Sequence, residues 1–284
     1  MSTPLVSVCL ITYKQEAYVG EALDGIVNQV QEGFTLEVVA GDDCSPDGTL
    51  SIIEKYADKH PGLIKISQRD KNLGMHGNWE KTISECQGDY IAIIEGDDRW
   101  DDNRKLAKQV ALLERDKSAS ASFSNAKVLQ SDGTFSNYDY VDKLGHDLKS
   151  DEFFTLNANP IPTCTTVFRK SMFGGFKPSY YNSPFADWIL HSSLIQNGHY
   201  LYLDECSSSY RQHDEGVWSG IKKERQLLNK LKAIQIIYDM VDSVHRPTVI
   251  TGRRKQLDEL LYFYRENGEK LKYLKTWLQL KLAK

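Results

Sequence analysis

Between residues 5 and 115 the chain alternates between two hydrophobic periods, and this restricts the fold more than any other feature of the sequence. Leu5-Val-Ser-Val-Cys-Leu-Ile-Thr12 is a short, mostly apolar run rich in β-branched residues, which predicts a buried strand. From Glu16 to Gln31, Val19, Ala22, Leu23, Ile26, Val27 and Val30 recur at helical spacing and predict one apolar helix face. The alternation then repeats. Strands are predicted over Leu36–Ala40, Leu63–Ser67 and Asp89–Ile94, and helices over Thr49–Ala57, Asn78–Cys86 and Asn103–Glu114. Strand and helix in such close succession argue for a parallel sheet covered on both faces. Sheets of this kind take ligands beyond the carboxyl ends of their strands. Thr12-Tyr13, Asp42-Asp43 and Asp97-Asp98 all fall at that edge.

Beyond residue 116 the pattern loosens. A strand is expected over Ala119–Leu129, a turn-rich loop over Gln130–Asn159, a strand over Thr163–Phe168, an amphipathic helix over Phe185–Gln196 and an edge strand over Leu201–Ser208. The last 64 residues read as helical, with Leu227, Leu231, Ile234, Tyr238 and Val241 on one stripe and Leu257, Leu260, Leu261 and Tyr264 on another.

Composition narrows the function classes. No run of 18 apolar residues predicts a membrane-spanning helix. The first residues lack the basic and apolar segments of a secretory signal. The five cysteines are odd in number and scattered, with no Cys-x-x-Cys pair. This disfavours a disulfide framework or a zinc cage and favours a reducing cytoplasm. The formal net charge of −4 hides an asymmetry: residues 1–220 hold 20 Lys and Arg against 32 Asp and Glu, whereas residues 221–284 hold 15 against 7. The acidic body argues against nucleic acid as the main partner.

Four segments carry side chains suited to chemistry. In Glu95-Gly-Asp-Asp98, two adjacent carboxylates at a strand end repel each other, and a hard divalent ion would offset that repulsion. The competing reading is a solvated turn before a helix that Asp101 or Asp102 caps. Gly41-Asp-Asp-Cys-Ser-Pro-Asp-Gly-Thr49 is either an ordinary turn with Ser45 or Asp47 as a helix cap, or a loop whose Asp43 accepts a nucleobase N–H. Asp187, in Pro184-Phe-Ala-Asp-Trp-Ile189, is either a helix cap or a carboxylate tuned by partial burial towards general-base duty. In Tyr210-Arg-Gln-His-Asp-Glu-Gly-Val-Trp218, His213 is either a surface residue or a loop contact to metal or phosphate.

Taken in order, these motifs resemble the family 2 glycosyltransferases. Val6-Ser-Val-Cys-Leu-Ile-Thr-Tyr-Lys-Gln-Glu-Ala-Tyr18 is similar to that family's first strand and nucleotide loop, and Asp42–Thr49 to its second. Asn72-Leu-Gly74 resembles the segment after the third strand. Glu95-Gly-Asp-Asp-Arg-Trp100 with Lys105-Leu106 resembles the metal motif and trailing helix. The likeness is continuous over residues 5–115 and patchier to about residue 219.

The resemblance implies an α/β chain with the A-type glycosyltransferase fold: a Rossmann-like mixed sheet flanked by helices, with a helical C-terminal extension. Residues 1–219 would form the catalytic domain, with 1–115 as its nucleotide-binding half and 116–219 as its acceptor-binding half, and residues 220–284 the extension. It further implies sugar transfer from a nucleotide-diphosphate sugar, a UDP-sugar favoured, to a saccharide or lipid-linked acceptor, with inversion and with Mn²⁺ or Mg²⁺. Such a reaction would belong to bacterial-type cell-surface polysaccharide synthesis at the cytoplasmic side of a membrane. Asp43 would read the base, and Thr12, Tyr13 and Glu16 would line the nucleoside pocket. Asp97 would lie near ribose and metal, Asp98 would be the direct metal ligand with His213 as a further one, and Asp187 would be the catalytic base.

Rival readings are a nucleotidyltransferase and a non-catalytic nucleotide-sugar binding protein on the same fold. The first expects a Gly-rich, Arg-containing loop after the first strand, and Thr12-Tyr-Lys-Gln-Glu16 has no Gly. A dinucleotide-binding oxidoreductase expects Gly-x-Gly-x-x-Gly, which follows no strand here. In the basic tail, Leu271, Leu274, Leu278 and Leu282 form one helical stripe among lysines. That stripe suits either contact with a membrane surface or packing against the catalytic domain or a second subunit.

Overall fold

The computed structural model describes residues 3–138, 144–213 and 221–282. The chain divides into two compact units: Met1–Leu148 with Pro160–Gly175 and Asn197–His213, and Lys149–Asn159 with Phe176–Gln196 and Asp214–Lys284. The boundary expected at 219/220, and residues 214–218 of the expected His213 loop, fall outside the described residues.

The first unit is built on one mixed sheet. Its strands are β1 (Leu5–Thr12), β2 (Thr35–Asp42), β3 (Ile64–Ile66), β4 (Tyr90–Glu95), β5 (Arg99–Trp100), β6 (Ala119–Leu129), β7 (Phe135–Asn137), β8 (Val167–Arg169) and β9 (His199–Arg211). The order is β3-β2-β1-β4-β8-β6-β9-β5, with β7 paired to β6. β1 lies parallel to both β2 and β4, its residues beyond Leu5 all buried, as an inner strand of a two-sided sheet requires. Four helices accompany these strands: α1 (Val19–Val27), α2 (Thr49–Lys59), α3 (Gly74–Glu85) and α4 (Lys105–Arg115). Val6, Val8 and Leu10 of β1 share one core with Val19, Leu23 and Ile26 of α1 and Leu106, Val110 and Leu113 of α4. The register sets Thr12 opposite Asp42 and Ile11 opposite Glu95, so three strand ends finish at one level.

Four local expectations change. α1 starts at Val19, not Glu16, because Glu16 is tied to the β2–α2 loop: its carboxylate accepts the Gly48 N–H at 2.9 Å and its own N–H donates to Asp47 at 3.2 Å. The segment expected as a strand over Thr163–Phe168 opens with a 3₁₀ turn at Thr163–Thr165 before the three-residue β8, which pairs antiparallel with both β4 and β6. β9 is not an edge strand but runs between β6 and β5. Ser207, Ser208 and Ser209, at its β5 side, are buried. Their hydroxyls find partners inside: Ser207 Oγ lies 2.6 Å from Ser124 Oγ, and Ser209 Oγ donates to Asp101 at 2.6 Å. The expected loop over 130–159 contains β7 and the short helix α5 (Ser150–Thr155).

The second unit is helical. Besides α5 it holds α6 (Ala186–Ile195), α7 (Lys223–Met240), α8 (Arg246–Glu266) and α9 (Lys270–Leu282). Leu227, Ile234, Leu257, Leu260 and Tyr264 are buried, as the helical stripes predict. All five cysteines are free thiols. Among the described residues no helix is long and apolar enough to cross a membrane.

Candidate active site

At the ends of β1 and β2 the loops are laced together by buried polar groups. Thr12 Oγ1 donates to Asp42 Oδ1 at 3.2 Å, and the Thr12 carbonyl accepts the Asp43 N–H at 3.0 Å. Asp42 also accepts the Ser45 N–H at 3.0 Å and the Ser45 hydroxyl at 2.6 Å, while Ser45 Oγ accepts the Lys14 N–H at 3.1 Å. Lys14 (φ 56°) and Cys44 (φ 61°) are the non-glycine residues held in the left-handed region among the described residues, and each sits in one of these two loops. Backbone strain of this kind is kept where surrounding contacts over-determine the conformation. Tyr13 stands largely exposed beside them.

Asp43 is almost fully buried. Its two carboxylate oxygens each accept a backbone N–H, from Leu73 at 2.7 Å and from Gly74 at 2.9 Å. Desolvation raises the carboxyl above the ordinary aspartate range, and the two N–H bonds oppose that rise. Each oxygen keeps a further lone pair for a ligand. The Asn72-Leu73-Gly74 segment therefore serves to hold Asp43, with the Asn72 amide also donating to the Asp43 carbonyl at 3.3 Å.

At the end of β4 the paired carboxylates take different environments. Asp97 Oδ2 lies 3.0 Å from His213 Nε2. Asp98 is 1% exposed; its Oδ1 accepts the Arg211 N–H at 2.9 Å and its Oδ2 has no hydrogen-bond partner. Burial, and then the charge of Asp97, push the Asp98 carboxyl well up. Asp98 is thus turned into the protein, while Asp97 faces the imidazole. The unpartnered Oδ2 leaves Asp98 an acceptor for the ion expected of it, with Asp97 next to it in the chain. Gly96 allows the close packing here, because a Cβ at this position would lie 2.5 Å from Gln15 Oε1 and 2.7 Å from Thr12 Cγ2.

Carboxylate oxygens suit Mn²⁺ or Mg²⁺, and the Asp97-Asp98 carboxylates fit such an ion, with the His213 imidazole as a nitrogen donor beside Asp97. No group of three or more His, Cys, Asp or Glu side chains converges as a cage among the described residues. Two protein groups would therefore leave the other positions to water and phosphate oxygens, as is usual for Mg²⁺ bound with nucleotides.

Arg211 is a contributor the motif analysis passed over. Its Nε donates to the Asp97 carbonyl at 2.9 Å, its guanidinium pairs with Glu21 at 2.9 Å, and it lies 4.6 Å from the centre of the Tyr18 ring. The Tyr18 ring in turn lies 5.3 Å from that of His213. The signal was present: Arg211 stands two residues before His213 at the end of a strand.

Asp187 belongs to the second unit and sits in the first turn of α6. It is not the cap, since Phe185 occupies that position. Asp187 Oδ2 accepts the Asn159 amide at 2.7 Å. Desolvation raises the carboxyl above the ordinary range, opposed first by the Asn159 bond and then by backbone N–H groups, with no charged side chain contributing. Asn159 carried no signal in the sequence, because its partner lies 28 residues away.

Comparison with known proteins agrees with this architecture. The family model described as glycosyl transferase family 2 matches residues 7–173. An uncharacterized protein of Mycobacterium tuberculosis is 35% identical over 225 residues, covering 78% of this chain and 62% of the relative. The chain thus spans about three fifths of the length of that relative. The crystal structure of Staphylococcus aureus TarS 1–349 in complex with UDP has a TM-score of 0.65 at 19% identity, covering 94% of this chain and 74% of that one. The mannosyltransferase PcManGT of Pyrobaculum calidifontis, in complex with GDP-Man and Mn²⁺, has a TM-score of 0.69 at 16% identity, covering 100% and 85%. At such identities the structures speak for the fold alone, which is the expected A-type glycosyltransferase fold. The match of the family model over more than half of its length shows that this chain belongs to glycosyl transferase family 2.

Proposed function

We propose that the chain transfers a sugar from a nucleotide-diphosphate sugar, a UDP-sugar favoured, to a hydroxyl of a saccharide or lipid-linked saccharide, with inversion and with Mn²⁺ or Mg²⁺. Its setting would be cell-surface polysaccharide synthesis at the cytoplasmic side of a membrane. The observation that carries this reading is the convergence of Thr12, Asp43 and Asp97 at three strand ends, with His213 held against Asp97. UDP is favoured because TarS, which shares the fold, was crystallised with it, and a divalent ion because PcManGT was crystallised with Mn²⁺.

In this reading the Asp43 carboxylate, fixed by Leu73 and Gly74, accepts an N–H of the base, and Thr12, Tyr13 and Glu16 line the nucleoside pocket. Asp98 holds the ion directly, with His213 as a further ligand and Asp97 near ribose and ion, and the ion when bound would offset the negative charge gathering on the diphosphate. Arg211, bonded to Asp98 Oδ1 and to the Asp97 carbonyl, keeps the β4 and β9 ends in place. Asp187, raised by burial and oriented by Asn159, accepts the proton of the acceptor hydroxyl. The acceptor oxygen then bonds to the anomeric carbon as the bond from that carbon to the diphosphate oxygen breaks, and the diphosphate leaves with the electron pair.

Titration calorimetry with UDP, GDP and dTDP, each with and without Mn²⁺, tests the reading. UDP binding strengthened by Mn²⁺ is expected. Absence of binding by any of the three nucleotides would remove it.

A further inference from the structure

The helix α9 is apolar on the side where a helix of a water-soluble unit is normally polar. Its inward side carries Thr276, which is buried, with Tyr273 and Leu280 partly buried. Tyr273 packs against the cluster formed by Leu227, Leu260 and Tyr264, and Lys272 pairs with Glu224. That side accounts for how α9 is attached. On the opposite side Leu271 is 85% exposed, Leu274 54%, Leu278 50% and Trp277 40%. At 100° per residue the three leucines fall within one narrow stripe, with Trp277 on its flank. Lys270, Lys275 and Lys281 are exposed around the same stripe, and Lys281 Nζ lies 5.5 Å from the centre of the Trp277 ring.

We propose that this face of α9 rests on an anionic lipid surface, with the leucines and Trp277 entering the headgroup boundary and the lysines meeting lipid phosphates. The argument from charge is specific. Residues 221–284 hold 15 Lys and Arg against 7 Asp and Glu, while the rest of the chain is acidic, so basic charge is concentrated where the apolar face is. A two-fold pairing of this face with a second copy would bring each chain's lysine rim against the other's, which like-charge repulsion disfavours. Leu and Trp with lysines between and beside them, whose long stems carry the charge out to the headgroups, is an arrangement that helices lying in the interface plane use. At 13 residues α9 is about 20 Å long, too short to cross a hydrocarbon core of roughly 30 Å, so it lies on the surface. The inference is independent of the donor, the ion and the base discussed above.

Flotation of the full chain with phosphatidylcholine vesicles, with and without phosphatidylglycerol, is the test. Flotation is expected only with phosphatidylglycerol, falling as salt is added. The double variant Leu274→Glu/Leu278→Glu should weaken it at least about tenfold while leaving the circular dichroism spectrum and UDP affinity unchanged. Lys275→Glu/Lys281→Glu should weaken it on anionic vesicles by a similar factor. No flotation with phosphatidylglycerol vesicles overturns the proposal, as does flotation indifferent to the leucine substitutions. A concentration-dependent dimer that dissociates in Leu274→Glu/Leu278→Glu also overturns it, since a second copy would then cover the face.

Discussion

His213 Nε2 lies 3.0 Å from Asp97 Oδ2, although 116 residues separate them in the chain. The contact is held from three directions. β9 delivers His213 to the end of β4, the Arg211 N–H bonds to Asp98, and Arg211 Nε bonds to the Asp97 carbonyl. Groups locked by their neighbours in this way need little reorganisation when a ligand arrives, which is what makes a binding site effective.

In the proposed reading Asp97, Asp98 and His213 are the sensitive positions for ion-assisted nucleotide binding. Asp97→Ala and His213→Ala should each weaken Mn²⁺-dependent UDP binding at least about tenfold in calorimetry, with UDP binding in the absence of metal changed much less. Arg211→Ala, which removes the hydrogen bond to the Asp97 carbonyl and the stacking on Tyr18, should weaken it in the same direction. If Asp97→Ala bound UDP and Mn²⁺ like the unaltered chain, the pair would have no role in ion binding.

Asp187→Asn should retain UDP affinity and lose transfer by about 10² to 10⁴. The pH profile gives a finer test. In the proposed reading the unprotonated Asp187 carboxylate is the active base, so turnover should fall as pH drops through its raised pKa. The Asn159 amide stabilises the ionised form, so Asn159→Ala should raise that pKa further and move the acidic limb to higher pH. An unmoved limb in Asn159→Ala, alongside an inactive Asp187→Asn, would leave Asp187 as the base and remove Asn159 from its positioning.

Lys105 gives a stability prediction with a definite sign. It is wholly buried, its Nζ donates to Gln109 at 2.7 Å and lies 4.4 Å from the centre of the Trp100 ring, and desolvation lowers its pKa from 10.5 to about 7. Between these values the unfolded chain holds a proton that the folded chain has shed. Raising the pH therefore favours folding across this interval, by at most about 1.4 kcal/mol per pH unit. Below about pH 7 both states hold the proton and the full cost of the buried charge is present. Thermal unfolding of Lys105→Met should show a flatter pH dependence from 7 to 10 than the unaltered chain; parallel profiles would refute the assignment.

Gly41 precedes Asp42 and Asp43 at the end of β2, and a Cβ there would lie 2.0 Å from Thr82 Oγ1 and 2.9 Å from Asn78 Oδ1. Both groups are already committed: Thr82 Oγ1 donates to the Asn78 carbonyl at 2.7 Å, and Asn78 Oδ1 accepts from Arg69 at 3.1 Å. Gly41→Ala should therefore cost about 1–3 kcal/mol in urea denaturation. A change below half a kcal/mol, within the range of roughly ±0.5 kcal/mol typical of surface substitutions, would mean that α3 yields easily at this point.

Much of the first unit was legible because its elements are set by short-range pattern. The apolar runs at β1, β2, β4 and β6 and the helical stripes of α1 and α4 each announce a buried face within a dozen residues. Errors arose where a distant partner changed the meaning of a residue. Glu16 has helix-compatible chemistry but is drawn out of α1 by Gly48 and Asp47. Leu201–Ser208 reads as an edge strand until Arg99 and Trp100 of β5 pair with Ser209 and Ser208.

The same division holds for the site. Sequence alone placed Thr12, Asp43 and the Asp97-Asp98 pair at the ends of the first, second and fourth strands, since strand termini follow from local hydrophobic periodicity and turn chemistry. Only tertiary structure decided which carboxylate of the pair turns inward, which one meets His213, and that Asn159 steadies Asp187. Hydrogen bonds between groups 28 to 116 residues apart exist only after the chain has closed those loops. Their geometry is a property of the packed sheet and helices, not of any segment that contributes to them.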